Sequence, residues 1–369
     1  MNQLFRWDQT GLFLLALAAG ILPFAVPEVC AAALREGLTL CSGPLLLSLF
    51  PFLVVSRLLI QCPESDLLAL PFRLAAWCIG IRTPCAARVL CIGFLGGFAP
   101  AASAAAQAVR TGQLTAEEAD ALLPACICSG PSFVVLTVGQ SLLGSAELGV
   151  LLFASQITAN YLTAALLNRF AGVRSVKPGS AAPASPAPPQ LDEILADAAI
   201  TYCKLCGFIL FFRMLAAGAG ALLPAGAGTL CSILLEVCSG CDLASRTGRW
   251  GSLLCCAALS VQGLSVLLQV RTICPPEMTL RPLYRARMLH LPLSLALFYL
   301  LLPGGEADVF STLPARVLLM RRVPPDCALL VFAVCCMAAC TLRSGIRQVE
   351  QKQMARNAGG CCINSKTLL

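Results

Sequence analysis

Glu236 lies in the run LLEVCSG, and a carboxylate with apolar neighbours on this scale is costly enough to be a functional candidate by default. Its chemistry there would be to hold a cation or a proton. Gln262 and Gln269, in VQGLSVLLQV, are seven residues apart and so share one helical face. Their amides can hydrogen-bond a polar solute or join neighbouring helices. Gln156 and Asn160 make a second amide pair, at i and i+4. Near these residues the apolar segments are interrupted by Gly, Pro and polar residues: GFLGGFAP at 93–100, CICSGPSF at 126–133, LLEVCSGCD at 234–242 and, more mildly, VQGLSVLLQV at 261–270. Pro100 and Pro131 each remove a backbone donor, and Gly96, Gly97 and Gly130 loosen the same turns. Carbonyls and amides freed in this way cannot be left facing lipid. Either they surround a polar cavity, as where transporters aim half-helix ends at a substrate, or neighbouring helices satisfy them as plain kinks. The residues expected to line such a cavity are Gly96, Gly97, Pro100, Ser129, Gly130, Glu236, Ser239, Gln262 and Gln269. Backbone groups would coordinate, Glu236 would bind a coupling cation or proton, and the glutamines would read a small polar solute.

No catalytic set accompanies them, and no enzyme is expected. His290 is the single histidine and, following a basic stretch, reads as interfacial. H-E-x-x-H, G-x-S-x-G and the GxxxxGK phosphate loop are all missing, and GFLGGF lacks the strand and acidic partner of a dinucleotide site. Neither a metal nor a cofactor is expected. Most of the 22 cysteines fall inside apolar runs, where cysteine packs as a small apolar residue. Cys203 and Cys206 have C-x-x-C spacing but no His or acidic cluster beside them, against a redox or zinc role.

The elements that must position these residues are membrane helices. Apolar residues make up 58% of the 369 and charged residues only 12%, about half the charged share of a soluble domain. So few charges cannot cover a water-facing surface of this size. The reading is an all-α, polytopic membrane helix bundle of about eight to ten apolar segments, with discontinuous helices. Candidate spans are 11–33, 44–60, 89–109, 121–143, 148–170, 199–223, 250–270, 288–302 and 327–342. Two shorter apolar pieces, 67–80 and 229–240, are the re-entrant hairpin candidates. Thr115 and Glu118 have capping-box spacing for a helix starting near Ala116.

A Pro/Ala/Ser-rich linker at 171–190 divides a membrane half at 1–170 from a second at 191–345, with a basic tail at 346–369. Arg169, Arg174 and Lys177 place the linker in the cytoplasm, and the tail and the loop carrying Arg271, Arg281, Arg285 and Arg287 agree with it. The net charge of +7 is explained by this orientation rather than by nucleic acid. Arg57 and Arg213 are expected to snorkel to the interface. The tripeptide Cys-Ser-Gly occurs at 128–130 and 238–240, once in each half, which suggests a two-fold internal repeat; inverted and parallel forms both fit.

The chain resembles the YlbJ-type sporulation integral membrane proteins, which carry a Gate or nucleoside-recognition domain. The stretches that carry the resemblance are LFPFLVVSRLLI (49–60), GFLGGFAPAASAAAQAVRTGQLTAEEADALL (93–123) and SGPSFVVLTVGQSLLGSAELGVLL (129–152) in the first half, within a Gate-like segment at about 45–170. In the second half they are CGFILFFRML (206–215), LLEVCSG (234–240) and QGLSVLLQV (262–270). The sequence departs from the family pattern before SGP, where Cys126-Ile127-Cys128 stand in place of asparagines, and at Phe98-Ala99-Pro100, where the family tends to Tyr-Pro. The resemblance implies a multi-pass protein of the bacterial cytoplasmic membrane, involved in endospore formation. It would be transporter-like or channel-like for a small polar, nucleoside-like solute, or else a non-transporting structural or assembly factor of the spore envelope.

Overall fold

The computed structural model describes residues 9–61, 63–171 and 191–302. The span expected at 327–342, the basic tail and nearly all of the linker lie outside the described residues. Those described form fourteen α-helices, one π-helix and two short 3-10 turns, with no strand among them. Three helical stretches are long and apolar enough to cross a membrane, Ala146–Ala171, Leu191–Leu222 and Gly248–Ile273, or five spans if two sharply bent pairs are counted. The outer surface agrees with lipid as solvent: Phe13, Phe24, Leu74, Trp77, Phe170 and Leu300 all stand exposed.

The chain opens with α1 (Gln9–Ala25) and α2 (Pro27–Ser42), which meet at 108°. The single first span expected at 11–33 is therefore corrected to a bent pair. Pro27 has no N–H to continue α1, and it starts α2 at the position where a missing donor costs nothing. Next come α3 (Pro44–Gln61) and α4 (Leu70–Ile79). Gly80, at φ 93°, ends α4 and the chain turns 107° into α5 (Pro84–Gly96). The piece at 67–80 is thus one short helix, the first arm of a sharply bent pair with α5.

The first hairpin lies one element later. A Cβ built on Gly93 would sit 3.2 Å from the Cβ of Ala101, eight residues on, whereas a continuous helix separates such residues by about 12 Å. So α5 and α6 (Phe98–Arg110) fold back on each other about Gly97, and the expected span at 89–109 is a hairpin. The capping box then forms as expected: Glu118 N donates to Thr115 Oγ1 at 3.1 Å and Thr115 N to Glu118 Oε2 at 3.2 Å, starting α7 (Ala116–Cys126). After an extended stretch the chain re-enters helix as the π-helix Ser132–Leu142. α8 (Ala146–Ala171) packs along both α7 and the π-helix, so these two pieces lie end to end as one discontinuous pass.

The second half repeats that order. α9 (Leu191–Leu222) leads to α10 (Ala225–Leu235) and α11 (Val237–Ser245). A Cβ on Gly240 would stand 2.8 Å from Ile233 Cα, so α10 and α11 are a second hairpin, with its tip at Glu236; this is the re-entrant segment expected at 229–240. α12 (Gly251–Val261) and α13 (Gly263–Ile273) follow as a second discontinuous pass, and α14 (Arg281–Leu301) as the continuous helix that closes the unit.

A hairpin returns to the side from which it starts, whereas α7 with the π-helix, α8 and α9 each run the length of the bundle. The segment between α8 and α9 carries no apolar run that could make a further pass. Three passes thus separate the start of α5 from the start of α10, and the two units begin on opposite faces. Of the two repeat forms the sequence leaves open, the inverted one fits.

α14 is apolar on the outside and polar on the inside. Met288 and Leu300 are 79% and 77% exposed, while Arg287, His290 and Ser294 are buried. Arg287 therefore does not belong to a loop, and His290 is not interfacial. The helix begins seven residues before the span expected at 288–302, and Asp120 of α7 anchors that start by accepting from Thr279 N at 2.8 Å and Leu280 N at 3.1 Å.

Candidate functional site

Each hairpin tip rests on the break of the discontinuous pass that follows it. In the first half the contact is backbone against backbone. Gly97 has φ 81°, a conformation that glycine alone adopts without strain, and a Cβ there would lie 2.7 Å from Gly130 N and 3.2 Å from Cys128 O. Pro100 folds back over Gly96, which has its own missing Cβ only 2.9 Å from the proline ring. Gly96, Gly97, Pro100, Ser129 and Gly130 therefore come together, and the crossing they form is closely filled.

In the second half the contact carries charge and amides. Glu236 is 2% exposed and caps α11, accepting from Cys238 N at 2.8 Å, Ser239 N at 2.7 Å and Ser239 Oγ at 2.9 Å. The anion at a helix N-terminus is stabilised by the unpaired amides and the helix dipole. Gly263, at φ 69°, packs against this tip, since a Cβ on it would stand 2.9 Å from Glu236 N. Beside it Gln262 adopts φ 63°, rare for a residue with a side chain, and is 1% exposed. Glu236, Ser239 and Gln262 thus form a second group. Gln269 lies two turns further along α13, where its amide donates to Ser265 Oγ at 2.9 Å.

The Cys-Ser-Gly copies do not occupy equivalent places. Residues 128–130 sit at the break of a discontinuous pass, and 238–240 sit in the first turn after a hairpin tip. By chain order, Gly97 corresponds to Glu236, and the Cys128 break to Gln262. No hydrogen bond joins Ser129 to Ser239.

Sequence reading missed the residue that links the two crossings. The non-helical stretch 127–130 between α7 and the π-helix leaves the Ile127 carbonyl outside any helical ladder. Arg287, from the other half, donates to that carbonyl, and also to the carbonyl of Ser260 at 3.4 Å, just before the second break. One guanidinium therefore caps the backbone freed at both discontinuities. Around it, Gln156 donates to Ser260 Oγ at 2.9 Å and to Cys256 O at 3.2 Å, while His290 Nε2 pairs with Gln156 O at 3.2 Å. The available signal was the 287, 290, 294 spacing, which puts three polar residues on one face of an apolar helix.

Several buried polar atoms in this region have no partner: Oε1 of Gln262 and of Gln269, Nδ2 of Asn160, Oγ1 of Thr163 and Nε of Arg287. Buried groups of this kind are normally satisfied, so these atoms are partners left open in a region that is otherwise closely packed. Arg57 and Arg213, expected to snorkel, are instead paired: Arg57 with Asp197, and Arg213 with Glu36 at 2.7 Å. Two cavities, of about 130 and 280 Å3, lie elsewhere; none of the candidate residues lines either. Among the described residues no group of His, Cys, Asp or Glu has the geometry of a metal site.

Comparison with the known protein families, with curated proteins and with solved structures finds no match. The apolar helices and the lipid-facing surface make this an integral membrane protein with several passes; its role has to be argued from the site.

Proposed function

We propose that this membrane protein is transporter-like, handling a small polar solute at the paired hairpin tips and helix breaks, in the cytoplasmic membrane of an endospore-forming bacterium. The observation that carries the reading is the pair of buried, unspent amide oxygens on Gln262 and Gln269. The helix breaks at Gln262, so the two glutamines do not share the continuous face that their spacing predicts. A chain still does not normally bury two such acceptors, one of them in a strained backbone conformation, without something to donate to them. Inverted units that each seat a hairpin on a broken pass support it, because such an arrangement can open first toward one side and then the other. The resemblance to YlbJ-type proteins supports the sporulation setting and a nucleoside-like solute. Glu236 takes a cation or proton in this reading when its hairpin tip lifts from Gly263. The test is uptake into proteoliposomes from a panel of nucleosides and related polar solutes. Saturable flux that is lost in Gln262→Leu and Gln269→Leu, and reduced in Glu236→Ala, is expected; no saturable flux of any solute would overturn it.

One observation favours a second reading, a non-transporting structural or assembly factor. The first crossing is filled by backbone, and Arg287 already satisfies the freed carbonyls. Cys128 is buried and Cys238 partly so. A water-soluble maleimide applied to membranes separates the two readings: a moving carrier exposes at least one thiol over time, and a fixed packing element protects both.

A further inference from the structure

Away from both crossings, the cavity of about 130 Å3 lies between the halves, with walls from α3, α6, α9 and α13. Its volume suits roughly four waters or a single tetrahedral oxyanion. It sits at one end of the bundle, because Arg110 is the last residue of α6 and Thr272 is in the last turn of α13. Its inner end is shut by Leu205, which packs with Leu53 and Ala99.

Three cations and one acid line this space: Arg57, Arg110, Lys204 and Asp197. Asp197 is taken by Arg57, whose guanidinium is held further by Ser103 Oγ and Thr201 Oγ1, each at 3.3 Å. Arg57 is only 8% exposed, so the cavity has a rigid, buried cation as its base. Arg110 and Lys204 have no hydrogen-bond or ionic partner among the described residues, although they reach the same cavity from different halves. The site therefore carries two uncompensated positive charges over a fixed third. Isolated surface cations at a membrane face are common. Two that line one small concavity floored by a buried arginine, against a single carboxylate already held by that arginine, leave it with an excess of positive charge suited to an anion.

We propose that this cavity binds a phosphate group, at Arg110 and Lys204 with Arg57 beneath them. The site stands on its own geometry and does not depend on the transport reading. The phosphate can come from a soluble anion or from the headgroup of an anionic phospholipid, since the cavity sits at the end of the bundle.

The experiment uses the purified full-length chain. In neutral detergent, inorganic phosphate is titrated against thermal unfolding, with chloride at matched ionic strength as control. In lipid nanodiscs, phosphatidylcholine alone is compared with phosphatidylcholine containing phosphatidylglycerol. The variants are Arg110→Gln, Lys204→Gln and their double; both side chains are exposed and unpaired, so the fold is kept, which circular dichroism checks. Arg249→Gln removes the same charge elsewhere. A soluble-anion site gives saturable stabilisation by phosphate over chloride, weakened about tenfold by each single variant and abolished in the double. A headgroup site gives no response in detergent but stabilisation by phosphatidylglycerol, lost in the double variant and kept in Arg249→Gln. If neither probe stabilises the wild type, or if the double variant responds as the wild type does, the site is refuted.

Discussion

The two crossings share a plan and differ in chemistry. In both, a glycine with positive φ lets a hairpin tip press on a broken helix: Gly97 on the tip in the first, Gly263 at the break in the second. The first places no polar side chain on its tip, although Arg287 caps the broken pass beneath it. Its contact is main chain on main chain, with no charged side chain at the tip. The second adds a capping carboxylate, a glutamine in the left-handed conformation and acceptors that remain unspent. The difference suggests a division of labour: the glycines make the architecture, and the polar groups of the second crossing are the part free to do chemistry.

The largest effect is expected where the plan itself is broken. Gly97→Val places a branched side chain at φ 81° and drives its Cβ into Gly130, costing more than about 3 kcal/mol. Gly263→Val should cost a similar amount, for the same reason. Loss of monodisperse protein on size-exclusion chromatography is the readout, and tolerance of valine at either position would show that the tips do not sit as described. Next comes the link between the crossings. Arg287→Ala leaves the carbonyls of Ile127 and Ser260 without a side-chain donor, at about 1–3 kcal/mol each, partly offset by removing a desolvated charge. A net loss of about 2–4 kcal/mol is expected, visible as a lower melting temperature. Millimolar guanidinium should restore part of it where sodium does not. No rescue, or rescue by both, would mean that the carbonyl contacts contribute little.

Smaller effects separate the two crossings. Glu236→Ala removes the cap of α11 and should cost about 1–2 kcal/mol, while Glu236→Gln keeps an acceptor and should cost about half as much. Equal losses would assign the effect to packing rather than capping. The smallest change should have the opposite sign. Gln269→Leu removes a buried acceptor with no partner, which outweighs the bond its amide donates to Ser265 Oγ, so stability should rise by up to about 1 kcal/mol. A rise together with lost uptake would mark a functional group retained at a cost to stability. A fall instead would reveal that the oxygen is already satisfied.

Particular residues show how far the sequence could be read. Thr115 and Glu118 announced the start of α7 because a capping box is a purely local device, and the geometry matches. The interruptions at Gly97, Gly130, Glu236 and Gln262 were equally local, since Gly, Pro and a buried acid each disturb the helix at their own position. What local chemistry could not tell was whether a break turns the chain back or lets it continue. The break at Gly97 makes a hairpin and that at Gln262 a discontinuous pass, though both read as interrupted spans. That choice depends on which neighbouring helix receives the chain.

By itself, then, the sequence determined that the chain is an all-helical membrane protein and where its helices fail, because composition selects the solvent and glycine and proline act on the turn that contains them. Only the tertiary structure decided which failures face each other, that Arg287 reaches across from the other half to a carbonyl left bare at the first break, and that Arg57 pairs with Asp197 rather than rising to the interface. The reason is physical. A lipid interior forces every unpaired backbone group to find a partner, but that partner can come from any helix that packs nearby, and packing between residues more than a hundred positions apart leaves no mark on the local pattern.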